Sequence, residues 1–577
     1  MKKSPDNQVD AGRLTMNRRR FSGFCALAGL AGTLFPEALT TAARDADEIT
    51  VDMIAAAEKI AGLSFSAPER ESMVERLNKL QKTSAYLRSF ELDNSAAPAV
   101  VFNPVLPGMT FSPEQKPFKL NPVDVTMPSN IEKLAYYPVT HLARLIEMRK
   151  VSSSDLTRMY LKRLKKYDPV LHCVVTLTEE LALKQAKNAD DEIAAGNYKG
   201  TLHGIPWGVK DLFAVRGYRT TWGAEFYRER IIDIDAAIVS RLRGAGAVLL
   251  AKLTTGAFAR GEKWFGGFTR NPWNTEEGSS GSSAGPGAAT SAGLVGFSVG
   301  SETRGSIAGP CERCGVSGLR PTYGRVSRYG AMTLSWSMDK VGPICRTAED
   351  CAVVFNAMHG KDGRDNSVVD LPFNWDSSFD VDGLRVGYVE AEFSGSLESI
   401  GDRAKINKTH NDAVLDVLRS LGVELVPIEL PHYLDDMVYL ILFTEAVAAF
   451  DFTNPGMNEM DYNNFFSGYH FVSAVDYIQA NRVRLRAMEE MEKAMGGIDA
   501  YVTPTFVGPT NIITNITGHP EVIVPSGFND KGTPVSISFV GKLFGEEKIL
   551  ALAHNFQKTT DFHLKYPEKK LEEAKES

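Results

Sequence analysis

Strand-like apolar runs alternate with helix-like segments over much of the chain. Residues 237–253 (AIVSRLRGAGAVLLAKL) indicate a helix, a glycine-containing turn and a strand. Residues 384–390 and 405–430 indicate a strand, a long helix and a second strand, and residues 535–562 indicate a strand followed by a helix. Because strands that alternate with helices form sheets covered by helices on both faces, the pattern predicts an α/β fold.

The composition is that of a globular protein, and it narrows the classes of partner. The chain has 577 residues, of which 43% are hydrophobic and 23% are charged, and its formal net charge is −7. A chain of this length buries a sizeable core. Its negative charge provides no long-range attraction for nucleic acid or anionic lipid, so we expect no nucleic-acid partner, whereas small neutral or cationic partners remain open.

The N-terminus has the pattern of an export signal. Residues 16–35 (MNRRRFSGFCALAGLAGTLF) place three arginines before an apolar run that is too short to cross a bilayer comfortably. Residues 38–44 supply small residues suited to cleavage, and RRRF at residues 18–21 resembles the twin-arginine signal, which implies a bacterial protein exported folded to the periplasm or secreted. The alternatives are a disordered basic tail and an uncleaved anchor. Since no later run is apolar enough for a membrane span, we expect a soluble mature protein.

The boundaries along the chain follow composition and spacing. We assign residues 1–43 to a signal peptide, 44–97 to a helical prefix, 98–131 to a proline-rich connector, 132–570 to the main domain and 571–577 to a charged tail. Apolar residues of the prefix, such as Met73, Leu77 and Leu80, have helical spacing. Prolines recur every few residues in the connector, which disfavours helix interiors and central strands.

The six cysteines are too few for a disulfide scaffold in a chain of this length. They are Cys25, Cys173, Cys311, Cys314, Cys345 and Cys351. Cys311 and Cys314 form a C-x-x-C pair, but a zinc site needs a second pair or nearby histidines, which the surrounding sequence lacks. We therefore expect no metal site and interpret the pair as buried thiols, with a redox pair as the alternative.

Three stretches rich in glycine and polar residues are candidates for chemistry, namely 203–213, 276–293 and 299–309. In the first, HGIPWGVKDLF, Lys210 follows apolar residues suited to a buried strand. Burial favours the neutral amine, which accepts a proton and therefore acts as a base. The alternative is a surface lysine in a modest ion pair with Asp211.

The second stretch contains GSSAG at residues 281–285, which fits the G-x-S-x-G nucleophile elbow with Ser283 at its centre. Such an elbow directly follows a strand, whereas the preceding residues, NPWNTEEGSS, are turn-forming. We therefore do not interpret Ser283 as the nucleophile of an α/β-hydrolase.

The third stretch, VGSETRGSIAG, places Ser306 near glycines on both sides, with no histidine close by in sequence. Together the three stretches resemble the amidase signature family. The resemblance runs from about residue 132 to about residue 570, which makes the main domain an amidase signature domain. It implies a central mixed β-sheet covered by helices on both faces, with Lys210 as catalytic lysine, Ser282 as bridging serine and Ser306 as nucleophile.

The resemblance also implies a mechanism without histidine. Ser306 attacks an amide carbonyl, and Ser282 passes its proton to neutral Lys210. The same relay returns a proton to the departing amine, and water then cleaves the acyl-enzyme. The two serines are 24 residues apart, which agrees with the family pattern. A cis peptide bond between Gly281 and Ser282 is implied, and no metal or organic cofactor is implied.

Backbone amides near the nucleophile are candidates for binding the developing oxyanion, because the glycine there lets N–H groups converge. The candidate donors are the amides of Thr303, Arg304, Gly305 and Ser306. Glu302 and Ser283 are candidate supporting residues.

Two positions depart from the family pattern. The family usually has a glycine where this chain has Arg304, and an arginine two places after the nucleophile where this chain has Ala308. We hypothesise that Arg304 pairs with Glu302 and takes over the supporting role of the missing arginine. The alternative is that Arg304 points to solvent or into the substrate cleft.

Three functional hypotheses follow from the resemblance. The first is an exported serine amidase that hydrolyses a carboxylic amide to an acid plus ammonia or an amine. The second is the A-type component of a tRNA-dependent amidotransferase, which shares the implied fold and triad but works in the cytoplasm with partner subunits, so the export signal argues against it. The third is a binding protein that kept the scaffold without activity. The expected partner is a small-molecule amide, and the resemblance allows a homodimer.

The acyl pocket is less defined than the triad. The aromatic residues Trp222, Phe258, Trp264 and Phe268 either line an apolar acyl pocket or belong to the core. The sequence does not separate these alternatives.

Overall fold

The structure is a computed structural model that describes residues 49–88, 92–394, 401–433, 435–450 and 467–576. The chain divides into two compact units, residues 1–91 and 92–577. The segment assigned to the signal peptide, residues 1–43, lies outside the described residues. Within the described ranges, no helix is both long and apolar enough to cross a membrane.

The first unit contains two described helices, α1 (Val51–Ala61) and α2 (Ala67–Arg88). Thr50 caps the start of α1 with its side chain. Glu58 of α1 and Arg70 of α2 form an ion pair of 2.7 Å, which joins the two helices. The helical spacing of the prefix thus predicts its structure.

The second unit is built on one large sheet and two short ribbons. Its strands are β1 (Val174–Leu177), β2 (Pro206–Lys210), β3 (Val248–Leu253), β4 (Lys263–Trp264), β5 (Gly267–Phe268), β6 (Arg270–Asn271), β7 (Asn274–Gly278), β8 (Phe297–Glu302), β9 (Ser317–Arg320), β10 (Lys340–Cys345), β11 (Arg385–Tyr388), β12 (Glu424–Pro427), β13 (Ala500–Pro504), β14 (Glu521–Phe528) and β15 (Pro534–Gly541).

The large sheet has eleven strands in the order β1-β3-β2-β8-β10-β9-β14-β15-β13-β11-β12. Strands β3, β2 and β8 are parallel neighbours, as are β13, β11 and β12, whereas the other pairs are antiparallel. The two ribbons are β4–β5 and β6–β7. The sheet is therefore mixed, as the resemblance implies.

Helices flank the sheet. They are α3 (Val139–Glu147), α4 (Ser153–Leu171), α5 (Glu179–Ala194), α6 (Ala237–Gly244), α7 (Ala284–Ser291), α8 (Ala308–Cys314), α9 (Ala348–Met358), α10 (Glu390–Ser394), α11 (Gly401–Ser420), α12 (Asp435–Ala449), α13 (Ala474–Ala494), α14 (Thr510–Thr517), α15 (Glu546–Thr559) and α16 (Glu568–Glu576). The predicted alternation is confirmed, since 237–253 forms α6 and β3 and 535–562 contains most of β15 and all of α15.

Helix α7 is made of small residues and one proline, and all of its residues are buried. Glycine is required at two positions. A Cβ on Gly285 would collide with the backbone of Thr254, and a Cβ on Gly287 would lie 2.8 Å from the side chain of Pro310. The helix therefore packs closely against the end of β3 and against α8, which fixes the position of Ser282 just before its N-terminus.

The C-terminal residues form a docked helix. Helix α16 crosses the boundary placed at residue 570, and its Leu571 is fully buried. Glu572 pairs with Lys166 of α4 at 2.5 Å. The charged composition of the predicted tail is thus the exposed face of an amphipathic helix that belongs to the main domain.

The five cysteines in the described part of the chain are buried and carry free thiols. Burial raises the pKa of the Cys311 and Cys314 thiols, which keeps them protonated. The interpretation of this pair as buried thiols is confirmed, and Cys25 lies outside the described residues. Among the described residues, no group of three or more His, Cys, Asp and Glu side chains is placed to hold a metal ion.

Candidate active site

Lys210 is the last residue of β2 and is fully buried, as the apolar run before it predicts. Its Nζ donates hydrogen bonds to Ser282 Oγ at 2.8 Å, to Ser301 Oγ at 3.0 Å and to the Ser301 carbonyl at 3.3 Å. Burial lowers the pKa of Lys210 to about 7, and the charges of Asp339 and Glu302 oppose this only in part. The amine therefore gains and loses a proton near neutral pH.

The neighbouring carboxylate does not pair with Lys210. Asp211 forms a fully buried ion pair of 2.6 Å with Lys252 of β3, and it accepts a hydrogen bond from the Thr221 N–H at 2.9 Å. The alternative of a surface Lys210–Asp211 pair is therefore wrong. Within the described residues, Lys210 has hydroxyl and carbonyl partners but no carboxylate partner.

Ser282 follows a cis peptide bond to Gly281, as the resemblance implies. A side chain on Gly281 would collide with the carbonyl of Gly261, so only glycine fits. Ser283 is fully buried, and its Oγ donates to the Ser301 carbonyl at 3.0 Å. This contact holds Ser283 against β8, which supports a positioning role rather than a nucleophile elbow.

Ser306 lies in the loop between β8 and α8, and its side chain is 8% exposed. Its carbonyl accepts a hydrogen bond from the Ser283 N–H at 3.2 Å, which joins the loop to the segment that carries Ser282. Gly305 has φ +75°, and a Cβ there would lie 2.9 Å from the ring of Phe506. The loop therefore depends on glycine at the position before the candidate nucleophile.

The amides after Ser306 are occupied, whereas those before it are available. Glu302 Oε2 accepts from the N–H groups of Ile307 at 2.8 Å and Ala308 at 3.0 Å. Among the described residues, the N–H groups of Arg304, Gly305 and Ser306 have no backbone or side-chain acceptor. Free, converging N–H groups are what an oxyanion requires, so these amides fit the predicted donor role.

Glu302 pairs with Arg320 and not with Arg304, so the predicted Arg304–Glu302 pair is wrong. Arg320 Nη1 lies 2.8 Å from Glu302 Oε1 and 2.7 Å from Glu521 Oε2. Asn515 also donates to Glu302 Oε1, at 2.9 Å. Burial alone would raise the pKa of Glu302, but the charges of Arg320 and nearby groups outweigh it and lower the pKa to about 2. Glu302 is thus an ionised support for the loop.

Arg304 is half-buried, and its guanidinium lies over the ring of Tyr439, 4.9 Å from the ring centre. Its Nε is buried without a hydrogen-bond partner. The alternative for this residue, a side chain directed to solvent or to the cleft, is compatible with this geometry.

Thr303 and Asp339 form a second support that the sequence does not single out. Thr303 Oγ1 donates to Asp339 at 2.5 Å, and the same carboxyl accepts from the N–H groups of Leu334 at 2.8 Å and Ser335 at 3.1 Å. Burial raises the pKa of Asp339, although these hydrogen bonds favour its ionised form. The start of the Ser306 loop is therefore anchored on both sides.

The aromatic candidates separate into core and ribbon. Trp222 and Phe258 are buried, with ring centres 5.8 Å and 5.2 Å from that of Phe450, so they belong to the core. Trp264 and Phe268 lie half-buried on the β4–β5 ribbon. The aromatic ring that packs against the Ser306 loop is Phe506, which no sequence signal near the loop indicates because it is distant in the chain.

A protein-family model described as Amidase matches residues 155–550. The chain belongs to the amidase signature family. The match begins in α4 and ends in α15, and it therefore covers the strands and loops that carry Lys210, Ser282 and Ser306. Amidase-family membership, predicted from the three glycine-rich stretches, is confirmed.

Curated relatives of this amidase-family chain match along nearly their whole length. It is 34% identical to the A-type component of the glutamyl-tRNA(Gln) amidotransferase of Methylococcus capsulatus over 483 residues, which is 74% of this chain and 98% of that protein. It is 32% identical to the same component of the Carboxydothermus hydrogenoformans enzyme over 491 residues, or 75% of this chain and 99% of that protein.

Solved structures of amidase-family enzymes share the fold. The native peptide amidase from Stenotrophomonas maltophilia aligns with a TM-score of 0.66 and 28% identity, covering 74% of this chain and 98% of that one. An amidase family protein from Bacillus anthracis aligns with a TM-score of 0.66 and 26% identity, covering 74% and 92%. The predicted α/β fold with a central mixed sheet is confirmed.

Proposed function

We propose that this protein is a serine amidase that hydrolyses a carboxylic amide to an acid plus ammonia or an amine. The observation that carries the proposal is the buried contact of 2.8 Å between Lys210 Nζ and Ser282 Oγ, beside the loop of Ser306. A buried amine whose pKa is about 7 is a competent base at neutral pH, which a fully charged lysine is not.

The proposed chemistry proceeds in two halves. Ser306 Oγ attacks the amide carbonyl, its proton moves to Ser282, and the Ser282 proton moves to the neutral amine of Lys210. The carbonyl oxygen becomes an oxyanion that accepts hydrogen bonds from the free amides of the loop. Lys210 then returns a proton through Ser282 to the leaving nitrogen, which breaks the carbon–nitrogen bond. Water cleaves the acyl-enzyme by the same relay and releases the acid.

We also propose that the protein is exported. This rests on the order of basic, apolar and small residues over 16–44, which resembles a twin-arginine signal. The corresponding location is the periplasm or the extracellular space of a bacterium. A fusion of residues 1–43 to a reporter that works only after export tests this, with an Arg18→Lys and Arg19→Lys double variant as the control.

The experiment for the catalytic proposal is ammonia release by the purified chain from aliphatic, aryl and amino-acid primary amides, with Ser306→Ala measured beside it. We expect release that falls by several orders of magnitude in the variant. Release that is equal in both proteins would exclude Ser306 as the nucleophile. Silence of the wild-type protein on this panel and on secondary amides and esters would favour a binding protein that kept the scaffold.

A second candidate, the A-type component of an amidotransferase, is favoured by the names of the matched relatives. Under this hypothesis the chain would need partner subunits for its full reaction. Amide hydrolysis by the isolated chain at the same rate with and without a cytoplasmic extract would argue against it.

A further inference from the structure

Arg304 is an unusual cation for its position. It lies two residues before Ser306, so its Cα is within about 7 Å of the Ser306 Cα. Among the described residues, its side chain has no ion pair and no hydrogen-bond acceptor, and its buried Nε is unsatisfied. Buried polar groups are normally hydrogen-bonded, so an unsatisfied guanidinium in such a place calls for a partner that arrives from outside.

The acidic groups of the same loop region are already engaged. Glu302 is held by Arg320, by Asn515 and by two loop amides. Asp339 is held by Thr303 and two backbone amides. The positive charge of Arg304 is therefore not balanced from within the loop. The net charge of −7 acts over long range and does not cancel a guanidinium beside the site.

Tyr439 fixes the orientation of this guanidinium. The ring of Tyr439 covers one face of it, with 4.9 Å from the guanidinium carbon to the ring centre. Stacking on a ring leaves the edge N–H groups free, and a guanidinium edge matches a planar carboxylate with two parallel hydrogen bonds. The ring of Tyr439 itself stacks on Phe443 at 5.3 Å, which supports it from behind.

From these contacts we infer that Arg304 binds an anionic carboxylate of the substrate, and that the preferred substrates are amides carrying a second, ionised carboxylate a few atoms from the scissile carbonyl. The inference rests on the amidase function proposed above and adds a substrate class to it. Arg304 is then a specificity-determining residue, whose side chain acts on the far end of the acyl group while its backbone lies in the candidate oxyanion loop.

The test compares matched substrates that differ only in charge. The substrates are the monoamides of succinic, glutaric and adipic acid, each beside its methyl ester. Ammonia release gives kcat/KM for the wild-type protein, for Arg304→Gln and Arg304→Lys, and for Arg158→Gln as a control arginine on the exposed face of α4. Hydrolysis of the ester group is followed by methanol release, so that the two reactions are counted apart.

We expect wild type to prefer the charged member of at least one pair. Loss of a charge-assisted hydrogen bond predicts that Arg304→Gln lowers the charged-to-neutral ratio of kcat/KM by roughly 10- to 100-fold. The loss should appear mainly in KM, because the carboxylate is bound equally in the ground and transition states. Arg304→Lys should recover part of the ratio, and Arg158→Gln should leave it unchanged.

Two results would overturn the inference. One is a wild-type protein that hydrolyses neutral amides without preferring the charged partners. The other is a ratio that Arg304→Gln does not change, including an equal loss on both members of a pair, which would assign the side chain to the oxyanion instead. A wild-type protein that hydrolyses no amide at all would contradict the proposed function itself, and that outcome is separate from these two. Competitive inhibition by glutarate, weakened in Arg304→Gln, provides a check that does not depend on turnover.

Discussion

Two buried lysines lie in neighbouring strands of the sheet and differ in one partner. Lys210 ends β2, and Lys252 lies in the parallel strand β3, where it is opposite Val209. Both are fully buried. Lys252 has the carboxylate of Asp211 at 2.6 Å, whereas the partners of Lys210 are hydroxyls and a carbonyl.

The difference separates a structural charge from a titratable base. Burial lowers the pKa of both lysines, and at Lys252 the charge of Asp211 opposes this effect from contact distance. The same residue type at the same burial therefore acquires different chemistry from the placement of one carboxylate. Pairing stabilises the charge on one strand, and its absence on the next strand makes a proton acceptor.

Replacing Lys210 should have the largest effect, and on activity rather than stability. Lys210→Met removes the base and replaces a buried amine with an apolar side chain of similar length. We expect kcat to fall by roughly 10³- to 10⁴-fold. The free energy of unfolding should not fall, because a buried amine is lost. Ammonia release and urea unfolding measure the two effects, and activity within tenfold of wild type would contradict the assignment of Lys210 as base.

Replacing Lys252 should have the opposite profile. Lys252→Met leaves Asp211 buried without its partner, so we expect the free energy of unfolding to fall by about 3–5 kcal/mol. Adding Asp211→Asn removes the uncompensated charge and should restore more than half of that loss. Urea unfolding of the single and double variants measures both. A single variant as stable as wild type would show that the pair does not stabilise the fold.

The pH dependence of the reaction should report Lys210 directly. The base form is the neutral amine, so kcat/KM should rise with pH up to the pKa of about 7 and level off above it. Below that pH the rate should fall by about tenfold per unit. Initial rates in buffers of constant ionic strength measure the profile. A profile that is flat from acid to neutral pH would be inconsistent with a lysine base.

Stability should carry the same signature with a defined sign. On folding, the pKa of Lys210 falls from 10.5 to about 7, so the unfolded chain binds more protons between these values. The stability difference between wild type and Lys210→Met should therefore rise with pH in this window, by at most about 1.4 kcal/mol per unit. Urea unfolding at neutral and alkaline pH measures the difference, in which the other titrating groups cancel.

Glu302 should show the smallest effect, because its partner keeps a second carboxylate. Glu302→Gln removes one charge from Arg320, but Glu521 remains at 2.7 Å. We expect the free energy of unfolding to fall by about 1–2 kcal/mol. The half-exposed pair of Arg313 and Glu277 serves as the control, since Glu277→Gln should cost about 0–1 kcal/mol. Equal losses in the two variants would mean that burial of the Glu302 pair adds nothing.

The fold and the three central residues were predictable because their signals are local. Periodicity and turn residues mark α6, β3, β15 and α15, and the apolar run before Lys210 predicts its burial. Ser282 and Ser306 came from the resemblance, which depends on short continuous motifs. The charged residues after 570 misled the boundary because composition does not show which face Leu571 buries.

The supports of the site were not predictable because they join distant parts of the chain. Pairing Glu302 with Arg304 assumes a local partner, whereas its actual partners, Arg320 and Asn515, are 18 and 213 residues away. Arg320 reaches Glu521 because β9 and β14 are neighbours in the sheet. Strand order decides such contacts, and one sequence does not specify strand order.

The sealed thiols have a consequence for the proposed route out of the cell. Five cysteines are buried and unpaired in the described residues, and for Cys173, Cys311 and Cys345 burial raises the pKa well above its usual range. Thiolates, not thiols, exchange with disulfides, so these groups are chemically silent in an oxidising compartment as long as the fold is closed. A chain that crossed the membrane unfolded would expose all of them to mispairing, whereas a chain that crosses folded brings its reduced interior intact.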